Sequence, residues 1–201
     1  MIWFAKKYRI TITRIFGVIL SALFLFSSYS WKKVSTFDLI IECCGFLLIL
    51  VCTFGRLWTL MYICGYKTNK LITEGPYSMV RNPLYFFSLM GAVGIGLSSK
   101  NILALALIVI MFATYYPFVI LAEEKRLIDV HKEEFIEYMK KTPRFIPRLS
   151  LLHEPELYNV NARLYRRSFF GAVLFILFFM ILQIIEWLHD TGILPVFFRI
   201  P

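Results

Sequence analysis

The feature that most constrains this chain is a series of uncharged apolar runs too long and too numerous for an ordinary core. Along the sequence they predict helices over 15–31, 39–64, 84–97, 102–122 and 169–185. A helix needs about 20 apolar residues to cross a bilayer. The run over 84–97 is short for a crossing and fits a re-entrant segment equally well. A chain of 201 residues cannot build a soluble core that hides all five. The predicted fold is all-α, a polytopic membrane helix bundle with about five transmembrane helices and one cytosolic amphipathic helix. Hydrophobic residues make up 59% of the chain, against roughly half in soluble domains, which agrees with this reading.

The positive charges orient the bundle. With the N-terminus in the cytosol, Lys6, Lys7, Arg9 and Arg14 precede the first run, and Lys67, Lys70 and Arg81 follow the second. Ten more Lys and Arg residues lie in 123–167, so 17 fall on cytosolic segments. Lys32, Lys33, Lys100 and Arg199 face the other side, and Arg56 lies inside a run. That asymmetry is a positive-inside signal. It accounts for the net charge of +9 by topology, without a nucleic-acid partner. The prediction is a multi-pass protein of a prokaryotic plasma membrane. The basic N-terminus resembles a signal peptide, but Lys32-Lys33 stand where a small-residue cleavage site would, so the first run is kept as a permanent span.

The four cysteines, Cys43, Cys44, Cys52 and Cys64, sit in one apolar segment with a spacing that suits neither a disulfide nor zinc, and no metal site is predicted. Asn82 and Pro83 suit an N-cap and a first helical position. Ser98-Ser99-Lys100-Asn101 makes a tight turn. Ser88, Ala92 and Gly96 recur every four residues, a small-residue stripe that predicts a packed hairpin of the third and fourth spans. Arg56 is either a snorkelling side chain or a contact to a substrate headgroup. Glu42, near the opposite end of the same helix, is too far away to pair with it.

The segment 123–167 is the only sizeable polar part, and it holds eight of the 13 acids. Leu127, Val130, Phe135, Tyr138 and Met139 give an apolar stripe at helical spacing, which predicts a cytosolic helix lying on the bundle. Pro143 and Pro147 end it. The stretch 149–167 reads as an interfacial connector. The whole chain, 1–201, is one membrane domain: two spans in 1–64, a hairpin with its cytosolic helix in 65–148, and the connector with the last span in 149–201.

Two polar stretches carry candidate chemistry. One reads Gly75-Pro76-Tyr77, then Arg81-Asn82-Pro83-Leu84-Tyr85. The other reads Glu123-Glu124-Lys125-Arg126-Leu127, then Tyr138 and Arg144-Phe145-Ile146-Pro147. In that order, with a helical hairpin between, they resemble the isoprenylcysteine carboxyl methyltransferase and phospholipid methyltransferase superfamily of integral membrane enzymes. The resemblance covers roughly residues 60–148. It implies a methyl transfer from S-adenosylmethionine to a lipid or to a prenyl- or acyl-linked acceptor. It also implies cofactor contacts at Asn69, Lys70, Leu71, Ile72, Tyr77, Asn82, Pro83, Leu84, Tyr85 and Glu123.

The residue chemistry is compatible with that cofactor. A helix N-terminus at Asn82–Pro83 offers partial positive charge to a carboxylate. Tyr77 and Tyr85 can face a cation or an adenine ring, and Glu123 can hold an ammonium or a ribose hydroxyl. Among candidate catalytic residues, Arg81 and Arg144 can orient an anionic acceptor, and Glu124 can take a proton from an amine acceptor. Each residue also has a plainer reading. Glu123 and Glu124 can cap a membrane exit and pair with Lys125 or Arg126. Arg81 and Arg144 can snorkel to phosphates, and Tyr77 and Tyr85 can be interfacial aromatics.

Three positions depart from the family pattern. Asn82 replaces a His. His131-Lys132 replaces a Phe-Gly, so the turn there is not expected to keep its shape, and His131 is expected at the surface. Val119 stands where the eukaryotic prenylcysteine enzymes place an Arg for the substrate carboxylate, which argues against assuming a prenylcysteine substrate. Two other functions compete. A sterol-type membrane reductase would need an NADPH site, but Gly91, Gly94 and Gly96 have the wrong spacing for a dinucleotide fingerprint. A non-catalytic membrane scaffold protein is the third reading.

Overall fold

The computed structural model describes residues 2–29, 36–66 and 70–200. It is a helix bundle with the order α1 (Ile2–Phe26), β1 (Ser27–Tyr29), α2 (Thr36–Ile63), α3 (Pro76–Met79), α4 (Pro83–Ser98), α5 (Ile102–Lys141), α6 (Ala162–Asp190) and β2 (Phe198–Ile200), with a single 3₁₀ turn at Leu149–Leu151 before α6. Three helices, α2, α5 and α6, are long and apolar enough to cross a membrane; Arg14–Phe26 and Pro83–Ser98 are shorter apolar helices. β1 and β2 form a small parallel pair, with Ser27 opposite Phe198 and Ser28 opposite Arg199.

The first helix ends at Phe26 instead of near residue 31, because the chain turns into β1 and pairs with the C-terminal strand. Residues 30–35, which include Lys32 and Lys33, lie outside the described residues. The fourth span and the cytosolic helix are one element. α5 runs for 40 residues, with Pro117 inside it and a break at Lys132. The break divides α5 into a long apolar segment and a short helical segment over 133–141, which carries Phe135 and Tyr138 of the expected stripe. Within the expected stripe, Phe135 and Tyr138 are buried against Leu71, with Leu127 and Met139 beside them. Val130 is instead 47% exposed, since it points off the packed face.

Lys132 adopts φ 47° and ψ −119°. This is a conformation that only glycine adopts without strain. The backbone therefore breaks at Lys132, the position where the pattern resembled has a glycine. The neighbouring His131 is half-buried instead of exposed.

The predicted hairpin turn forms, with the Asn101 side chain accepting the Ala104 N–H at 3.0 Å as a helix cap. However, α4 packs most closely on α2, not on α5. A Cβ on Gly94 would lie 2.6 Å from the Gly45 carbonyl oxygen, so the two backbones touch where neither residue has a side chain. Of the predicted stripe, Gly96 faces Leu105 and Ile108 of α5.

Lys100, in the turn between α4 and α5, is buried at that end of the bundle. Its ammonium reaches Asp38 at 3.2 Å, Glu42 at 3.1 Å and Glu186 at 2.8 Å. This cluster ties α2, the α4–α5 turn and α6 together, and Glu42 pairs here, well away from Arg56. The opposite end holds the end of α2, the start of α4, the polar half of α5 and the start of α6.

Candidate functional site

The site is built where the chain leaves α2 and returns into α4. Gly75 has φ 59°, and a Cβ there would stand 2.3 Å from the Tyr62 ring, so this position needs glycine for both backbone and space. The turn it makes sets Pro76 at the first position of the short α3 and brings Tyr77 inward. The stretch is then stitched to distant chain. Gly75 N–H donates to the His153 carbonyl at 2.8 Å, His153 N–H to Ser78 Oγ at 3.0 Å, and Arg148 N–H to the Met79 carbonyl at 3.1 Å. Arg81 N–H donates to the Pro143 carbonyl at 2.9 Å. The Tyr138 hydroxyl donates to the Tyr77 carbonyl at 2.6 Å, which fastens the end of α5 to α3. Burial holds the Tyr77 and Tyr138 hydroxyls above the usual phenol range, so both stay neutral donors.

Adjacent acids on a helix point about 100° apart, and here they take separate environments. Glu124 is 4% exposed. Its Oε1 lies 3.2 Å from Arg81 Nε and its Oε2 lies 3.1 Å from Arg144 Nε. The Asn82 amide donates to Glu124 Oε1 at 3.3 Å and to the Arg144 carbonyl at 3.0 Å. Asn82 thus occupies the N-cap position of α4 without capping through its side chain, because that amide is committed to α5 and the 142–148 loop. Glu123 turns the other way, half-buried, and accepts a 2.7 Å hydrogen bond from the Tyr85 hydroxyl.

Between these elements lies a cavity of about 460 Å³, lined by Tyr77, Arg81, Asn82, Pro83, Leu84, Tyr85 and Glu123 from the predicted set. The remaining predicted residues are elsewhere. Asn69 lies outside the described residues. Lys70 is exposed, Leu71 packs on Phe135 and Tyr138, and Ile72 packs on Tyr62 and Tyr77. Glu124 and Arg144 stand behind the wall as its clamp. The sequence reading missed Leu60, Ile63, Cys64 and Gly65 at the end of α2, Leu127 on α5, and Leu164 and Ser168 at the start of α6, all of which line the cavity. For α6 the only signal was its run of arginines at the membrane edge, which gave a side of the membrane but not a neighbour.

The arrangement can enclose a ligand that is part polar and part flat and apolar. A carboxylate at Glu123 and two tyrosines face one chamber, with the first turn of α4 on its wall and aliphatic side chains around it. Among the described residues no group of three His, Cys, Asp or Glu side chains is placed to hold a metal ion.

Comparison with known proteins gives three findings. The family model for phospholipid methyltransferase matches residues 41–134. A cobalt-zinc-cadmium resistance protein, CzcN, of Cupriavidus metallidurans is 34% identical over 191 residues, covering 95% of this chain and 88% of that protein. A nickel-cobalt-cadmium resistance protein, NccN, of Alcaligenes xylosoxydans xylosoxydans is 34% identical over 202 residues, covering 98% of this chain and 92% of its own length. No solved structure matches.

Proposed function

From the premise that the chain belongs to the phospholipid methyltransferase family, within the isoprenylcysteine carboxyl methyltransferase-like superfamily of membrane methyltransferases, we propose that it transfers a methyl group from S-adenosylmethionine to a lipid or lipid-linked acceptor. The observation that carries this reading is the single cavity shared by Tyr77, Asn82, Tyr85 and Glu123, which come from two stretches almost 40 residues apart.

The chamber suits such a cofactor. Its volume of about 460 Å³ falls in the usual range for small-molecule sites. Glu123, oriented by Tyr85, presents a carboxylate to an ammonium or hydroxyl. The α4 N-terminus presents its dipole to an anion. The Tyr77 and Tyr85 rings offer faces to a sulfonium or to adenine. S-adenosylmethionine supplies a methyl group on a sulfonium, which passes to an acceptor lone pair as the sulfur keeps the bonding electrons.

What the chain adds is alignment and exclusion of water. The Arg81–Glu124–Arg144 clamp holds α4 against α5, so that Tyr85 and Glu123 keep their spacing. A carboxylate or phosphate acceptor needs no base. In this reading the N-terminus and the chamber face the cytosol, as the distribution of positive charge favours, and the membrane is a bacterial plasma membrane. Five crossings are proposed, with α1 and α4 joining the three longer helices. The metal resistance in the relatives' names gives no acceptor, and the donor set described above gives no metal ligand cluster.

The test is direct. S-adenosylhomocysteine should raise the unfolding temperature of the purified protein, as any ligand of the folded state does, while NADPH should not. Incubation with methyl-labelled S-adenosylmethionine and a total lipid extract should then label a lipid fraction. No shift with S-adenosylhomocysteine removes the cofactor assignment. Binding without transfer to any acceptor leaves the scaffold reading in its place.

A further inference from the structure

Arg56 lies in the apolar part of α2, one helical turn deeper than Leu60, which lines the chamber. It does not snorkel to the membrane edge. Its guanidinium donates through Nη1 to Ser88 Oγ on α4 and lies 5.4 Å from the centre of the Phe175 ring on α6. Its Nε is buried and has no hydrogen-bond partner. The ionisable groups facing it are the Cys52 thiol and the Tyr116 hydroxyl, both neutral at pH 7. Among the described residues the other buried cations have acids: Arg81 has Glu124, and Lys100 has three carboxylates. An inward-facing charge at membrane depth with no counter-ion is costly and marks a ligand site.

Its surroundings point to the occupant. Ser88 Oγ, which accepts that hydrogen bond, donates in turn to the Leu84 carbonyl at 2.6 Å, and Leu84 lines the chamber. Tyr116 stacks on Phe112 at 3.9 Å and meets Tyr85 edge-on at 5.7 Å. Beyond Tyr116, an apolar groove of about 320 Å³ runs between α4 and α5, lined by Leu89, Phe112, Ala113 and Ile120. Arg56 thus neighbours Ser88, which bonds to the chamber-lining Leu84, and Tyr116, which lines the groove.

We propose that Arg56 binds the anionic headgroup, carboxylate or phosphate, of the acceptor, an amphiphile whose apolar chain lies in the α4–α5 groove. The assignment rests on the methyl-transfer reading of the chamber. Arg144, at the other end of the groove, is already paired with Glu124, so the cation with unmet charge is Arg56.

The probes are dodecyl phosphate and laurate as anions and dodecanol as the neutral control, titrated into wild type and variants in maltoside micelles. Wild type should bind both anions more tightly than dodecanol. Arg56→Gln should weaken the anions by about tenfold or more, as loss of a charge-assisted contact does, and bring them to the level of dodecanol. Arg56→Lys should restore part of that affinity. A preference for only one anion identifies the headgroup.

S-adenosylhomocysteine binding should persist in Arg56→Gln. If it is lost while the anions still bind, Arg56 serves the cofactor and the proposal fails. Unchanged anion binding in Arg56→Gln overturns it equally. Should that variant fail to fold, a diazirine-bearing fatty acid on wild type decides: crosslinks within 52–60 and 109–121 support the site, and crosslinks confined elsewhere overturn it. If wild type binds the anions but not S-adenosylhomocysteine, the headgroup site stands and the cofactor reading is what falls.

Discussion

The Tyr85 hydroxyl donates a 2.7 Å hydrogen bond to Glu123 Oε2, joining the first turn of α4 to the point where α5 leaves its apolar half. It is the contact that aims Glu123 into the chamber. Tyr85→Phe removes that orientation and leaves the ring and the acid in place. Binding of S-adenosylhomocysteine, read by calorimetry, should weaken by about tenfold, the worth of one hydrogen bond to a charged group. Glu123→Ala should abolish it. The unfolding temperature without ligand should change little in either variant.

Glu124 should behave in the opposite way. Its removal strands the buried Arg81 guanidinium, whose side chain is only 7% exposed. Glu124→Ala should therefore destabilise the protein by about 3–5 kcal/mol, measured by thermal unfolding in micelles. Arg144→Ala should cost less, about 1 kcal/mol or below, because its side chain is half-exposed and screened.

The close approach of α2 and α4 gives a steric prediction. Gly94→Ala forces a Cβ into the Gly45 carbonyl and should destabilise by about 1–3 kcal/mol. Gly171→Ala, with nothing within 4 Å of the new methyl, should be neutral or stabilising by up to about 1 kcal/mol, since alanine favours helix. Thermal unfolding of both variants checks the pair.

Lys132 pays for its backbone conformation. Lys132→Gly at φ 47° should stabilise by about 1 kcal/mol, read by the same assay. A loss of stability would show that this break in α5 is not strained.

Tyr158 supplies a pH prediction. Its hydroxyl donates to the Tyr62 carbonyl, and burial, helped by its tyrosine and acidic neighbours, pushes its pKa up to about 12. A folded-state value above the unfolded value of about 10 means the contribution is complete below pH 10. It is then lost as pH rises through about 12. The unfolding temperature of wild type should fall over that window, and Tyr158→Phe should flatten this part of the fall.

Much of this was legible in the chain because period and charge are local properties. The spans over 39–64 and 84–97 lie within about three residues of α2 and α4 at each end, since apolar length and Pro83 set them. Tyr77, Tyr85 and Glu123 could be singled out because they sit in short ordered motifs. The break at Lys132 was not legible because a lysine gives no sign of adopting positive φ.

The sequence alone determined that this is a membrane helix bundle and which two polar stretches interrupt its apolar runs, because insertion into lipid depends on local apolar length and on flanking charge. Only the tertiary structure decided which acid faces the chamber and which is locked between arginines, since two adjacent glutamates differ only in the direction the helix gives them. It also decided that Lys100 is neutralised while Arg56 is not. Pairing across 40 to 90 residues depends on which helix ends meet, and no local pattern encodes that.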